Sequence, residues 1–151
     1  MLHFLKTAIF IFSLQFIIAS ASAQQQYNDT LTFLVSEMES SNIYETSYTV
    51  GYAGTISKQY LRFKQLLKLA SDKQLSDLAV NHSNPVVRLY AFQALKQKVL
   101  TIPEDIIMYF TNDHTVVKTL WGCFGGSQAV NVLAKQNLIF NGFQKKTEVK
   151  Q

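Results

Sequence analysis

The stretch "NPVVRLYAFQAL", Asn84 to Leu95, decides how the rest of the chain is read. Asparagine accepts from the first free amides of a helix, and a proline directly after it gives up no donor that the helix needs. At about 100° per residue, Val87, Ala91, Ala94, Leu95 and the stem of Lys98 share one arc, and the alanines let a neighbouring helix come close. That arc, with Asn84 and Pro85 at its head, is expected to be structural core. A flanking stripe of Val86, Tyr90, Gln93 and Gln97 either stacks on the next element or faces a partner, so Tyr90 and Gln93 are the first candidates for partner contact. The planar fork of Arg88 could hold a carboxylate.

Helix punctuation continues on both sides. Upstream, Asp29 could cap a short helix "TLTFLVSEME" with Leu31, Leu34 and Met38 on one stripe, followed by the polar turn "SSNIYETSYT" and a glycine-bearing loop "VGYAGT". Ser57 then opens a longer helix, "KQYLRFKQLLKLA", and Ser71 with Gln74 forms a capping box for "KQLSDLAV". Downstream, Thr101 and Glu104 suggest a second capping box around Pro103, then "EDIIMYF", a break at "TND", and a helix from about Thr115 to Phe124. Ser127 could cap a last helix, "QAVNVLAK", before a tail from about Asn141 that has little to bury.

A shift of 30 residues lays the helix pair containing Asn84 on the pair that follows it: Leu78 on Met108, Val80 on Phe110, Val86 on Val116, Val87 on Val117, Arg88 on Lys118. The match covers both helices and their turn, and reads as an internal helical repeat whose pairs stack into a right-handed layer. By that alignment Lys118 and Leu120 join Tyr90, Gln93 and Arg88 as candidate partner contacts. Trp121 and Cys123 become structural residues closing the end of the core.

"NPVVRLYAFQAL" resembles the second helix of a HEAT repeat through Asn84, Pro85, Val87, Arg88, Ala91, Ala94 and Leu95. The stretch from Val50 to about Cys123 is similar to a group of small exported bacterial proteins of HEAT-like fold with no established activity. The resemblance implies an all-α protein, antiparallel helix pairs stacked as a short α-solenoid, an Arg88 that bonds neighbouring turn carbonyls or the amide residue before it in preference to an anion, and a scaffold for binding rather than catalysis. The second copy departs from the pattern, with His114 at the amide position, Thr115 for proline, Lys118 for arginine and Trp121 for the first alanine, as a degenerate terminal repeat would.

The start of the chain reads as an export signal: a cation at Lys6, the apolar run "TAIFIFSLQFIIA", and small residues at Ala21 and Ala23, with cleavage expected between Ala23 and Gln24. The expected organisation is a signal over residues 1–23, an N-terminal helix and polar connection over 24–49, the HEAT-like domain over 50–140 and a flexible tail over 141–151. Cleavage leaves 128 residues, one domain's worth, in the periplasm or outside the cell. If the signal persists, the chain is instead a membrane-associated module.

Several chemistries are disfavoured. Loss of Lys6 leaves 13 basic against 10 acidic side chains, an excess of three, too small and too dispersed for nucleic acid. Cys123 is the sole cysteine, so no internal disulfide is possible. A thiol site on Cys123 with His114 as base is weighed and set aside, because nine residues of helix would separate them by about 13 Å; a buried cysteine is the preferred reading. His82 with His114, in successive turns, would need further ligands such as Asp113 to hold zinc. "GGSQA" lacks the second glycine of a nucleophile elbow, and "GYAGTIS" lacks the lysine of a phosphate loop. The expectation is therefore no enzyme, no cofactor, no metal, and a protein partner, with a thiol-dependent enzyme or regulator at Cys123 as the alternative.

Overall fold

A computed structural model of the chain describes residues 25–99 and 101–147, with side chains through Leu138. The export segment and its Ala23–Gln24 junction lie outside the described residues. The chain divides into two compact units, Met1–Phe33 and Leu34–Gln151. Of the first, residues 25–33 are described and are helical, so Asp29 stands inside a helix instead of capping one, and its carboxylate accepts from Gln25 Nε2 at 2.9 Å.

Helix α1 covers residues 25–41 and is closed by Asn42, whose φ of 48° is the left-handed C′ geometry that asparagine tolerates. Its amide donates to Met38 O at 3.2 Å. After β1 (Tyr44–Glu45) come the short hairpin β2 (Thr49–Val50) and β3 (Thr55–Ile56), then α2 (Lys58–Leu69), α3 (Asp72–Asn81), α4 (Pro85–Lys98) and α5 (Glu104–Asn112). A second hairpin, β4 (Val116–Trp121) and β5 (Phe124–Ala129), leads into α6 (Val130–Thr147). Among the described residues no helix is long and apolar enough to cross a membrane.

The caps explain where the helices begin. Ser57 Oγ accepts from Tyr60 N at the head of α2, Ser71 and Gln74 complete a capping box on α3, and Asn84 Oδ1 accepts from Val86 N and Val87 N at 2.9 and 3.2 Å on α4. The expected capping box of Thr101 with Glu104 does not form: Pro103 occupies the cap position of α5 and offers no side-chain acceptor.

The protein is mostly helical, as expected, but it is not all-α. Two sheets accompany the helices: β1-β4-β5, with β1 parallel and β5 antiparallel to β4, and β2-β3. The helix expected from Thr115 to Phe124 is β4 and the turn after it, and "GGSQA", expected to end in a helix cap at Ser127, is β5. Thr115, Val116, Val117, Thr119 and Trp121 are β-branched or aromatic, and Asp113 Oδ1 takes the Thr115 amide at 3.0 Å in a local turn that competes with a helix start. Gly122 then turns the chain with φ 55°, the sign that a two-residue hairpin loop requires at its first position. Of the residues aligned by the 30-residue shift, Leu78 with Met108 and Val80 with Phe110 lie in helices, α3 and α5, whereas Val86, Val87 and Arg88 of α4 fall on Val116, Val117 and Lys118 of β4, so the second helix of the second copy is replaced by a hairpin. The expected tail is helical to Thr147, the last described residue.

Helix α4 is the centre of the unit. It packs against α2, α3, α6 and β1, and Val86 through Phe92, Ala94 and Leu95 are all buried. A helix apolar on every face is one surrounded on every face. Aromatic rings fill the space around it: Tyr44 and Phe63 lie 4.8 and 5.8 Å from Tyr90 between ring centres, and Phe92 lies 4.3 Å from Phe110. Lys98, at the far end, donates through Nζ to Ala70 O at 2.6 Å.

Candidate functional site

The structure places the five candidate contact residues in two different environments. Tyr90 is fully buried. Its hydroxyl donates to Glu45 O at 2.9 Å and accepts from Glu45 N at 2.7 Å, so it holds β1 against α4. Gln93 is half-buried, and its Oε1 accepts from the Tyr44 hydroxyl at 3.0 Å, which itself receives Asn137 Nδ2 at 2.8 Å. Burial pushes both tyrosine hydroxyls well above their ordinary range; the hydrogen bonds from Asn137 to Tyr44 and with Glu45 at Tyr90 pull the other way and are outweighed. These side chains are internal joints, and Tyr90 offers no surface to a partner.

Arg88 is also internal. Nη1 donates to His82 O and Ser83 O at 3.0 and 2.9 Å, and Nη2 pairs with Asp113 Oδ2 at 2.7 Å, each side chain only 9 % exposed. Partial burial raises the Asp113 carboxyl, but hydrogen bonds from Thr115 and Arg88 outweigh it and leave the pKa below the ordinary aspartate value. With Asp113 committed to Arg88, it is not free to complete a metal site. His82 Nδ1 accepts from Asn84 N and His114 Nδ1 meets Asn131 Nδ2, both at 3.1 Å. No group of three metal-binding side chains exists among the described residues.

Lys118 is exposed on β4, and Leu120 is half-buried beside Gly125. Trp121 and Cys123, expected in the core, are exposed, because the hairpin carries them away from it: Trp121 is 65 % accessible and the thiol is free. Cys123 and His114 stand at opposite ends of β4, about 30 Å of extended chain apart.

The hairpin has a built tip. Gly51 N donates to Gly122 O at 2.9 Å, the Cys123 thiol lies 3.4 Å from Gly51 O, and Gly122 N donates to Ser47 Oγ at 3.0 Å. The turns of the two hairpins are therefore fastened side by side. From them project Tyr52, Trp121 and Phe124, at 102, 65 and 76 % exposure, with the Trp121 and Phe124 rings stacked at 6.3 Å.

Beyond the tip, β5 is the outer strand of its sheet among the described residues. Thr46 N donates to Leu120 O, so Leu120 directs its backbone groups toward β1. Its antiparallel partner Gly125 must direct its own groups outward, as must Ser127 and Ala129 two and four positions on. Phe124 through Gln128 are exposed, none is charged, and a side chain added at Gly125 or Gly126 would meet nothing closer than 3.6 Å. Proteins ordinarily guard such edges with charges, proline or a bulge; β5 has no charge and no proline.

A depression between α1, α2 and the first hairpin is lined by Glu37, Glu45, Ser57, Lys58, Gln59 and Arg62 among others. Its groups are occupied. Arg62 pairs with Glu37 at 2.7 Å, the Ser57 hydroxyl donates to Glu45 and caps α2, and Gln59 Nε2 bonds Met38 O and Ile43 O at 3.1 and 3.0 Å.

Tyr52, Phe124 and the β5 edge were not among the sequence candidates. The signal for them was present in "TVVKTLWGCFGG", a β-branched run that meets a glycine one residue after a tryptophan. No family model, no curated protein and no solved structure matches this chain.

Proposed function

We propose that the protein is an exported, non-enzymatic binding module of the cell envelope that engages a protein partner along β5. The observation that carries this reading is an uncharged outer strand with the backbone groups of Gly125, Ser127 and Ala129 turned away from the sheet, which suits addition of an extended segment from another chain. Main-chain hydrogen bonds would supply affinity, and Lys118 and Leu120 on the adjoining strand would supply selectivity. The α3–α4 pair, with its Asn84–Pro85 start and Arg88 bonded to the preceding turn, is read as one HEAT-like unit that supports the sheet. This moves the working surface from Tyr90 and Gln93 to the hairpin.

The test uses Ser127→Pro, which removes an outward amide that β4 does not need and so blocks strand addition alone. A photo-reactive residue at exposed Gln128 is expected to trap one protein in cells, and Ser127→Pro is expected to abolish the adduct while keeping the melting temperature. An adduct of equal yield in both chains, or none in either, would overturn the reading.

A further inference from the structure

The two fastened tips carry an uneven distribution of charge. Residues 46–71, which contain the first tip, include Lys58, Arg62, Lys64 and Lys68 and no acidic residue. Residues 114–147, which contain the second, include Lys118, Lys135, Lys145 and Lys146 and again no acidic residue. Eight of the fourteen basic side chains thus fall in the segments that bear the tips, and none of the ten acidic ones does. Carboxylates from outside reach these segments: Glu37 is taken by Arg62, Glu45 accepts the Ser57 hydroxyl, Asp113 is held by Arg88 and the Thr115 amide, and Glu39 lines a depression together with Lys118. The turns themselves, Gly51 to Gly54 and Trp121 to Phe124, contain no charge at all.

We propose that this double tip seats in the surface of an anionic lipid bilayer. Tyr52, Trp121 and Phe124 would enter the boundary between headgroups and acyl chains, where an aromatic ring loses water on its faces while an indole N–H or a phenol O–H keeps a polar neighbour. Lys58 and Lys118, the exposed cations nearest in sequence to the two turns, would face anionic headgroups, an attraction that falls off within a Debye length and is weakened by salt. The shape agrees with the chemistry. The rings stand out from two turns instead of lining a groove, and the bond from Gly51 to Gly122 holds the turns together so that both can enter one surface. A protein pocket could receive one such ring, but neither the pairing of two turns nor the exclusion of every acidic residue from their segments would be needed for it. The tip adjoins the β5 edge at Phe124, but the edge acts through the backbone groups of Gly125, Ser127 and Ala129, so Ser127→Pro, which blocks the edge and leaves the rings in place, separates the two readings.

Trp121 is the only tryptophan in the chain, so its fluorescence reports the tip and nothing else. The full chain is mixed with vesicles of phosphatidylglycerol and phosphatidylcholine, or of phosphatidylcholine alone. Trp121 emission is expected to shift to the blue with the anionic vesicles, to be quenched by bromines placed high on the acyl chains, and to respond less as salt rises. Phe124→Ser is expected to weaken the vesicle-dependent shift about tenfold, the equilibrium equivalent of withdrawing one buried aromatic ring. Lys118→Glu, at an exposed position, weakens it without touching the aromatic tip and serves as the second variant. Emission that does not move with anionic vesicles, or that moves as far in Phe124→Ser and Lys118→Glu as in the wild type, overturns the proposal. So does a photo-reactive group at position 124 that captures protein and no lipid in cells.

Discussion

Two segments that align residue for residue at a spacing of 30 have opposite fates in this molecule. "NPVVRLY" begins α4, and "HTVVKTL" enters β4. Val86 is fully buried while Val116 is 65 % exposed, and Val87 and Val117 are both buried. The shared valines therefore do not decide the outcome. What differs is the residue that starts the element and the residues that continue it. Asn84 and Pro85 satisfy and pre-set a helix start, and Leu89, Ala91, Ala94 and Leu95 sustain it. In the second segment Asp113 closes a local turn on Thr115, Thr119 and Trp121 favour an extended chain, and Gly122 reverses it. A repeat visible in apolar spacing is thus no guarantee of a repeat in structure when the caps are not repeated with it.

The contrast can be broken most forcefully at Arg88. Removal of its side chain in Arg88→Ala strands Asp113 and two turn carbonyls, and the expected loss is about 3–5 kcal/mol in urea unfolding. A loss under about 1 kcal/mol, the worth of an exposed pair, would mean that the ion pair does not anchor α4. The same pair has a pH signature. Because the folded Asp113 pKa lies below its unfolded value near 3.9, the contribution is present above about pH 4 and disappears as pH falls through the folded pKa. In Arg88→Ala that acid-dependent share of stability should shrink.

Tyr90→Phe tests the joint between the two regions. It deletes both hydrogen bonds to the Glu45 backbone while keeping the ring, and a destabilisation of about 1–3 kcal/mol is expected from the buried amide and carbonyl left behind. Thermal unfolding at matched concentration reads it. The smallest effect belongs to the hairpin: Trp121→Ala should change stability by no more than about 0.5 kcal/mol, since the ring packs chiefly on exposed Phe124. A larger loss would show that the tip helps to hold the fold.

The helical part of this fold was legible because its punctuation is local. Ser57, Ser71 with Gln74, and Asn84 with Pro85 each act on amides within three residues, so a sequence reader sees cap and target together. The hairpin was misread because valine spacing is ambiguous over six residues, and the alignment to α4 outweighed the β-branched composition. Thr101, Pro103 and Glu104 mimic a capping box that proline's own position at the cap prevents. The exposed site was illegible for a different reason. The turns that carry Tyr52 and Trp121 meet through a backbone hydrogen bond from Gly51 to Gly122, and no residue type announces such a contact.

The parallel pairing of β1 with β4 joins Tyr44 to Thr119 and Glu45 to Leu120, positions 75 residues apart. Closing a loop of that length is entropically costly, and two residues of ladder return little against it. The intervening chain must already have been shortened into α2, α3 and α4 before the ends can meet. The Glu45 clasp by Tyr90 then supplies the handhold that β1 lacks by itself. The β1–β4 pairing is therefore expected to form after α2, α3 and α4, so that pulse-labelled hydrogen exchange protects those helices before the Thr46 amide, while the local β4–β5 hairpin needs no such wait.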